Sequence, residues 1–252
     1  MKLCTADLHV HTALSPCASD DMTPPVIVAV ALAEGLHMIA VCDHNSARNA
    51  AAVQAAADDA ARVAGERLTV LAGMEITTVE ECHVVALFPD AAAAAAAGSE
   101  IAESLPVADD SYEQFFGAQR LVDADGDETG REPLALAMAS PLSVDQAVAL
   151  VHRHTGLAVA AHVDRRTFGV IGQLGFFPGD AGFDAVEVSR HVTPGAEASE
   201  FTALGLPVVH SSDAHYPADV GAARTILRVE EPTFAELLLA LRGEAGRSVA
   251  HA

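Results

Sequence analysis

Two histidines one residue apart, His9 and His11, stand in the stretch Asp7-Leu8-His9-Val10-His11-Thr12 near the start of the chain. Residues 3–10 alternate well enough to read as a strand, and side chains two apart on a strand share a face. The two imidazoles therefore project side by side, able to grip one metal ion. Alone, so short a motif is more often structural than functional. Here other nitrogen and oxygen donors recur where apolar runs end: His44, Glu75, His162, and Asp213 with His215. His83 differs, lying near the start of its run. These eight donors exceed the four that a tetrahedral zinc takes, and none is a thiolate. With a carboxylate free to bridge, the set suits two or three divalent ions; zinc, manganese and iron all accept such donors.

The apolar pattern supplies elements to position them. Strands are expected over residues 3–10, 37–43, 68–76, 81–88, 157–163, 183–188, 206–209 and 224–229. Thr23-Pro24 opens a helix that stops at Gly35. Asn45 or Ser46 caps an Ala-rich helix ending near Gly65. Ser143 and Gln146 form a capping box, Thr193-Pro194 starts a helix to Gly205, and Thr233 with Glu236 caps the last helix. The tail from Gly243 is expected to fray. Residues 89–142 read as an irregular insertion, with 122–130 as a polar hairpin tip. That tip lacks the glutamate at position twelve of a calcium loop. Strand–helix alternation favours parallel strands with crossover helices, and an α/β barrel carries its active site at the C-terminal strand ends.

Composition sets bounds. The 252 residues, 51% hydrophobic, suffice for one large domain over 1–252. The net charge of −21 argues against stable nucleic-acid binding and against an anionic membrane. Four cysteines form no C-x-x-C pair, and Cys4, Cys42 and Cys82 lie in apolar runs as buried thiols. No leader and no apolar run of about 18 residues is present, so the expected location is cytoplasmic.

In combination, Asp7-Leu-His-Val-His-Thr12, Val41-Cys-Asp-His-Asn45, Gly73-Met-Glu75, His83, Ala161-His162 and Ser212-Asp-Ala-His215 resemble the PHP (polymerase and histidinol phosphatase) family, from about residue 4 to 230. The resemblance implies a distorted seven-stranded TIM-like βα barrel with a trinuclear metal centre that hydrolyses phosphoesters. By matching position, His9, His11, Glu75 and Asp213 would hold the first metal. Glu75 would bridge to a second, completed by His83 and His162, and His44 and His215 would hold a third. The family's third site usually adds an Asp from the loop after His-x-His. This chain departs there, reading Ser15-Pro-Cys-Ala-Ser-Asp-Asp21. Asp20 or Asp21 is the candidate, with Cys17 a soft alternative.

Two or three such ions would let a water ionise near neutral pH and neutralise a phosphoryl group. The cofactors expected are therefore zinc, manganese or iron, and the partner a small phosphorylated substrate or nucleotide. Arg165, Arg166 and Arg190, at strand ends, are candidates for the phosphate oxygens. His191 is a candidate general acid or substrate contact, and Asp43 a carboxylate that orients a ligand histidine. His37, His210 and His251 read as structural. Phe168, Phe176 and Phe177 read as packing residues that could line a pocket. The alternatives are a nuclease at nucleic-acid ends, a histidinol-phosphatase-like monoesterase, and a silent metal-binding module. Oligomeric state is not legible.

Overall fold

The computed structural model describes residues 1–192 and 198–250. The expected helix start at Thr193-Pro194, and His251, lie outside the described residues. The strands are β1 (Lys2–Val10), β2 (Met38–Val41), β3 (Thr69–Thr77), β4 (His83–Phe88), β5 (Arg120–Val122), β6 (Glu128–Arg131), β7 (Leu157–Ala160), β8 (Ala185–Ser189), β9 (Val208–Ser211), β10 (Thr225–Val229) and β11 (Ser248–Ala250). The helices are α1 (Pro24–Ala33), α2 (Ala50–Ala64), α3 (Ala91–Ala102), α4 (Asp110–Phe116), α5 (Val144–Arg153), α6 (Val170–Leu174), α7 (Ala198–Thr202) and α8 (Phe234–Arg242). No helix among the described residues is long and apolar enough to cross a membrane.

Nine strands form one sheet in the order β11-β10-β1-β2-β3-β4-β7-β8-β9. The sheet curls until the chain beyond β9 meets the end of β1, where Val10 bridges Ala214 in parallel. The result is a nearly closed barrel. Asp7 locks this seam: its buried carboxylate accepts from the backbone N–H groups of Ser212, at 3.0 Å, and Gly221, at 2.8 Å.

The strand count corrects the expected seven. β10 pairs antiparallel with β1, and β11 antiparallel with β10. β11 also overturns the frayed tail, because Arg247 ties that segment to Glu236 of α8 at 2.9 Å. Parallel strands throughout are overturned as well. β4 runs antiparallel to both β3 and β7, since the turn between β3 and β4 is too short for a crossover helix. This reversal explains His83. The start of β4 lies at the same barrel end as the C-termini of the parallel strands.

Other boundaries move too. α2 begins at Ala50 with Asn49 at its N-cap, not at Asn45 or Ser46. Asn45 instead takes a left-handed φ of 50° and donates its side-chain amide to the carbonyls of Leu136 and Met138. It thereby anchors the 89–142 segment, which holds α3, α4 and the β5–β6 hairpin, beside the barrel mouth.

Two apolar layers follow from strand alternation. One face packs under the helices, through residues such as Val41, Ala72, Val84 and Val186. The other fills the barrel, with Ala6, Ala40, Leu71, Val85, Val159 and Ala185. A bulge in β1 changes which residues reach the inside. Asp7 pairs with Ile39 but Val10 pairs with Val41, so three steps on β1 match two on β2. The alternation shifts by one, and His9 joins the face of Ala6 instead of that of Asp7.

Gly73 sets the depth of β3 two residues before Glu75. A Cβ there would lie 2.6 Å from the Ala86 carbonyl oxygen and 3.1 Å from that of Val41. Both are backbone atoms that cannot step aside. Gly73→Ala is expected to lower unfolding free energy by roughly 1–3 kcal/mol, read from urea denaturation as an earlier midpoint with unchanged slope.

Candidate metal centre

The end of the barrel where the parallel strands finish gathers the eight predicted donors. β1 presents His9 and, one residue past its end, His11. His44 follows β2, Glu75 sits in β3, and His83 opens β4. His162 follows β7 with a φ of 28°, and Asp213, with a φ of 50°, follows β9 ahead of His215. Three of these turns, at Asn45, His162 and Asp213, use left-handed backbone that non-glycine residues rarely adopt. Such strain persists where surrounding structure enforces it, and it clusters at functional sites.

Glu75 is the hub and is 1% exposed. Its oxygens lie 2.7 Å from His83 Nδ1, 3.0 Å from His44 Nδ1, 3.2 Å from His162 Nε2, and 3.5 Å from the Nε2 atoms of His9 and His11. Asp213 Oδ1 stands 3.0 Å from His11 Nε2 and 3.5 Å from His9 Nε2. Donor atoms of three sets lie mutually within 4.8 Å: His9, His11, Glu75 and Asp213; His44, Glu75 and His83; and His11, His44 and His215.

Hydrogen bonds alone do not satisfy this arrangement. His9 Nδ1 donates to Glu187 at 3.1 Å, so the neutral ring would turn the lone pair of Nε2 inward. His11 Nδ1 donates to Ser15 Oγ at 2.9 Å, and that hydroxyl donates to Asp43 at 2.7 Å. His11 Nε2 is therefore also a lone pair, 3.1 Å from that of His9. Nδ1 of His44, Nδ1 of His83 and Oε2 of Glu75 are buried with no hydrogen-bond partner despite their closeness, because the angles are wrong. Nitrogen and carboxylate donors converging on shared points, with no hydrogen bonds completing them, fit divalent cations.

Electrostatics point the same way. Burial opposes ionisation of Glu75, but His83 and His9 outweigh it and hold the carboxyl well below its usual range. Asp213 is likewise held down by His9 and His11 against burial. Burial, with the neighbouring His215, keeps His11 well below its ordinary value. Burial pushes His83 down to about 4. His9 and His44 go the other way. Burial opposes their charge, and it is overcome by Glu187 and Glu75 at His9, and by Cys17 and Glu75 at His44. The buried anions demand positive charge, which protons on these two rings or bound cations can supply.

The remaining candidates fall around this core. Asp43 reaches His11 through Ser15 and also accepts from Thr12 N and Oγ1, each at 2.7 Å. Arg165 Nη1 meets Asp213 Oδ2 at 2.6 Å, at the rim. Arg190 pairs with Asp219 at 2.6 Å, Arg166 is exposed, and His191 is exposed beyond β8. Phe168 stacks on His83 with ring centroids 4.5 Å apart. Asp20 and Asp21 are exposed, and neither side chain hydrogen-bonds to the cluster among the described residues. Cys17 Sγ approaches it instead. Glu187 is absent from the sequence-derived set. Its signal was available: a lone charge inside the apolar strand Ala-Val-Glu-Val-Ser.

Comparison with known proteins places the chain in a family. The family model of the PHP domain matches residues 7–169, and that of the PHP-associated region matches 198–245. No curated protein matches the chain. Among solved structures, the lesion-specific endonuclease PfuEndoQ from Pyrococcus furiosus is similar with a TM-score of 0.72 and 17% identity, over 98% of this chain and 58% of that one. Endonuclease Q bound to a 27-mer duplex with an abasic lesion at its active site gives 0.69 and 17%, again over 98% and 58%. A Bifidobacterium adolescentis protein described as a metal-dependent phosphoesterase gives 0.54 and 21%, over 83% and 87%. This chain thus spans 58% of the length of the endonuclease Q chains. With the PHP-domain match covering well over half of its residues, the chain belongs to the PHP family.

Proposed function

We propose that the chain hydrolyses a phosphate ester of a small molecule or nucleotide. The observation that carries this reading is the convergence of Glu75 and Asp213 with imidazole nitrogens, several of them buried without a hydrogen-bond partner, in one barrel mouth. In this reading His9, His11, Glu75 and Asp213 hold a first divalent ion. Glu75, His83 and His162 hold a second, with Glu75 shared, and His44 and His215 hold a third. Such ions, zinc, manganese or iron, supply Lewis acidity that lowers the pKa of water to about 7 and neutralises charge on a phosphoryl group.

The chain's own residues do the rest. Glu187 fixes the tautomer and direction of His9, and the Asp43–Ser15 pair does so for His11. Arg165, held at the rim by Asp213, offers a planar fork to phosphate oxygens. Arg190 is engaged by Asp219, which makes it the weaker candidate for that role. His191 stays a candidate proton donor to the leaving group. The Phe168 ring covers His83 and keeps water from that side of the cluster. A cytoplasmic setting accords with four unpaired cysteines.

A second reading, a nuclease, draws support from the likeness to endonuclease Q. The net charge of −21, with only 14 Lys and Arg, weighs against it, because phosphate-backbone binding needs clustered cations. The two readings separate on substrates. An aryl phosphate monoester, an aryl phosphodiester and an abasic duplex are offered to zinc- or manganese-loaded protein. Monoester turnover abolished by a chelator is expected, and preference for the duplex would favour the nuclease. Glu75→Gln is expected to lose at least about 100-fold in kcat/KM. Metal retained with no turnover of any phosphoester would overturn the enzymatic reading.

Glu187 gives a separate check. Glu187→Gln keeps the side-chain shape but removes the anion behind His9. Metal affinity, measured by competition with a chromophoric chelator, is expected to fall about 10–100-fold. Unchanged affinity would deny Glu187 its orienting role.

A further inference from the structure

We propose that Cys17 is a thiolate ligand to the ion held by His44 and His215, which makes this position selective for a thiophilic divalent metal. The proposal rests on the metal-centre reading above and adds to it a donor of a different chemical class. Cys17 Sγ lies 3.2 Å from His44 Nε2 and 3.1 Å from His215 Nε2. Ligand atoms sharing one zinc ion stand on the order of 3.5 Å apart, so the three atoms are spaced for a common ion after a small outward shift.

The contacts of the two rings direct both Nε2 atoms at the sulfur. His215 Nδ1 donates to the Asp213 carbonyl oxygen at 2.9 Å, and a carbonyl can only accept. His215 Nε2 therefore turns a lone pair toward Sγ. His44, only 8% exposed, also aims Nε2 at Sγ, while its Nδ1 has no hydrogen-bond partner. Both Nε2 atoms converge on one sulfur, an arrangement in which a cation would be held by the two rings together with the thiolate.

The backbone holds Cys17 in place. Ala18 N donates to Ser15 O at 2.9 Å, and Ser19 N donates to His215 O at 2.8 Å. The loop from Ser15 is thus stitched to the segment that carries His215, with Cys17 over the cluster and Asp20 and Asp21 turned to solvent. A carboxylate here would suit manganese or magnesium, whereas thiolate shifts preference toward zinc, iron and cobalt.

The test uses the full chain loaded with cobalt(II), a spectroscopic stand-in for zinc, plus alkylation. Cys4, Cys42 and Cys82 are buried, so Cys17 is the accessible thiol. Wild type is expected to show near-ultraviolet thiolate-to-cobalt charge-transfer absorption, and zinc is expected to slow iodoacetamide modification of Cys17 by at least about 10-fold. Cys17→Ser is expected to lose the absorption and one ion per chain. Cys17→Asp is expected to recover that ion without the absorption and to retain manganese better than wild type. Two or more ions bound with no thiolate absorption, and alkylation indifferent to zinc, would overturn the Cys17 assignment alone. Fewer than two ions in wild type would overturn the metal-centre reading itself.

Discussion

Glu75 is a fully buried carboxylate within 3.5 Å of five histidines, and the rest of the barrel mouth is arranged around it. An ionised carboxylate that deep is costly unless cations or hydrogen bonds compensate it. Glu187 and Asp213 add to the same deficit. Three of the six imidazoles, those of His9, His11 and His215, are turned by Nδ1 contacts with Glu187, Ser15 or a carbonyl so that Nε2 faces inward. Such a cluster is stable with positive ions at its centre, and without them it must take up protons. Folding, metal loading and activity are therefore linked through one charge balance.

Three backbone devices deliver the donors. The bulge in β1 turns His9 into the barrel. The reversal of β4 brings a strand start, and with it His83, to the end where its neighbours finish. Left-handed turns at His162 and Asp213 bend the chain back over the mouth after β7 and β9. Each device spends local regularity on placing a donor side chain, and around them the apolar layers of the sheet remain regular.

The convergent donors were legible because metal-capable residues recur where apolar runs stop, a pattern that survives ignorance of the fold. What escaped depended on partners distant in sequence. The direction of β4 follows from the length of one turn. The pairing of β10 and β11 follows from which edge of β1 is left free. Glu187 looked like one more strand residue until its face was known. The loop from Ser15 to Asp21 offered three donors, and spacing does not reveal which of them a loop turns inward. The hydrogen bond from Ser19 to His215 decides it, and that contact joins residues nearly 200 positions apart.

Anomalous X-ray scattering from crystals grown with zinc tests most directly whether charge balance by cations organises this mouth. At least two anomalous peaks are predicted, one between His9, His11, Glu75 and Asp213, and another beside His83 and His162. Density for the cluster at full order with no anomalous peak among these residues would contradict it.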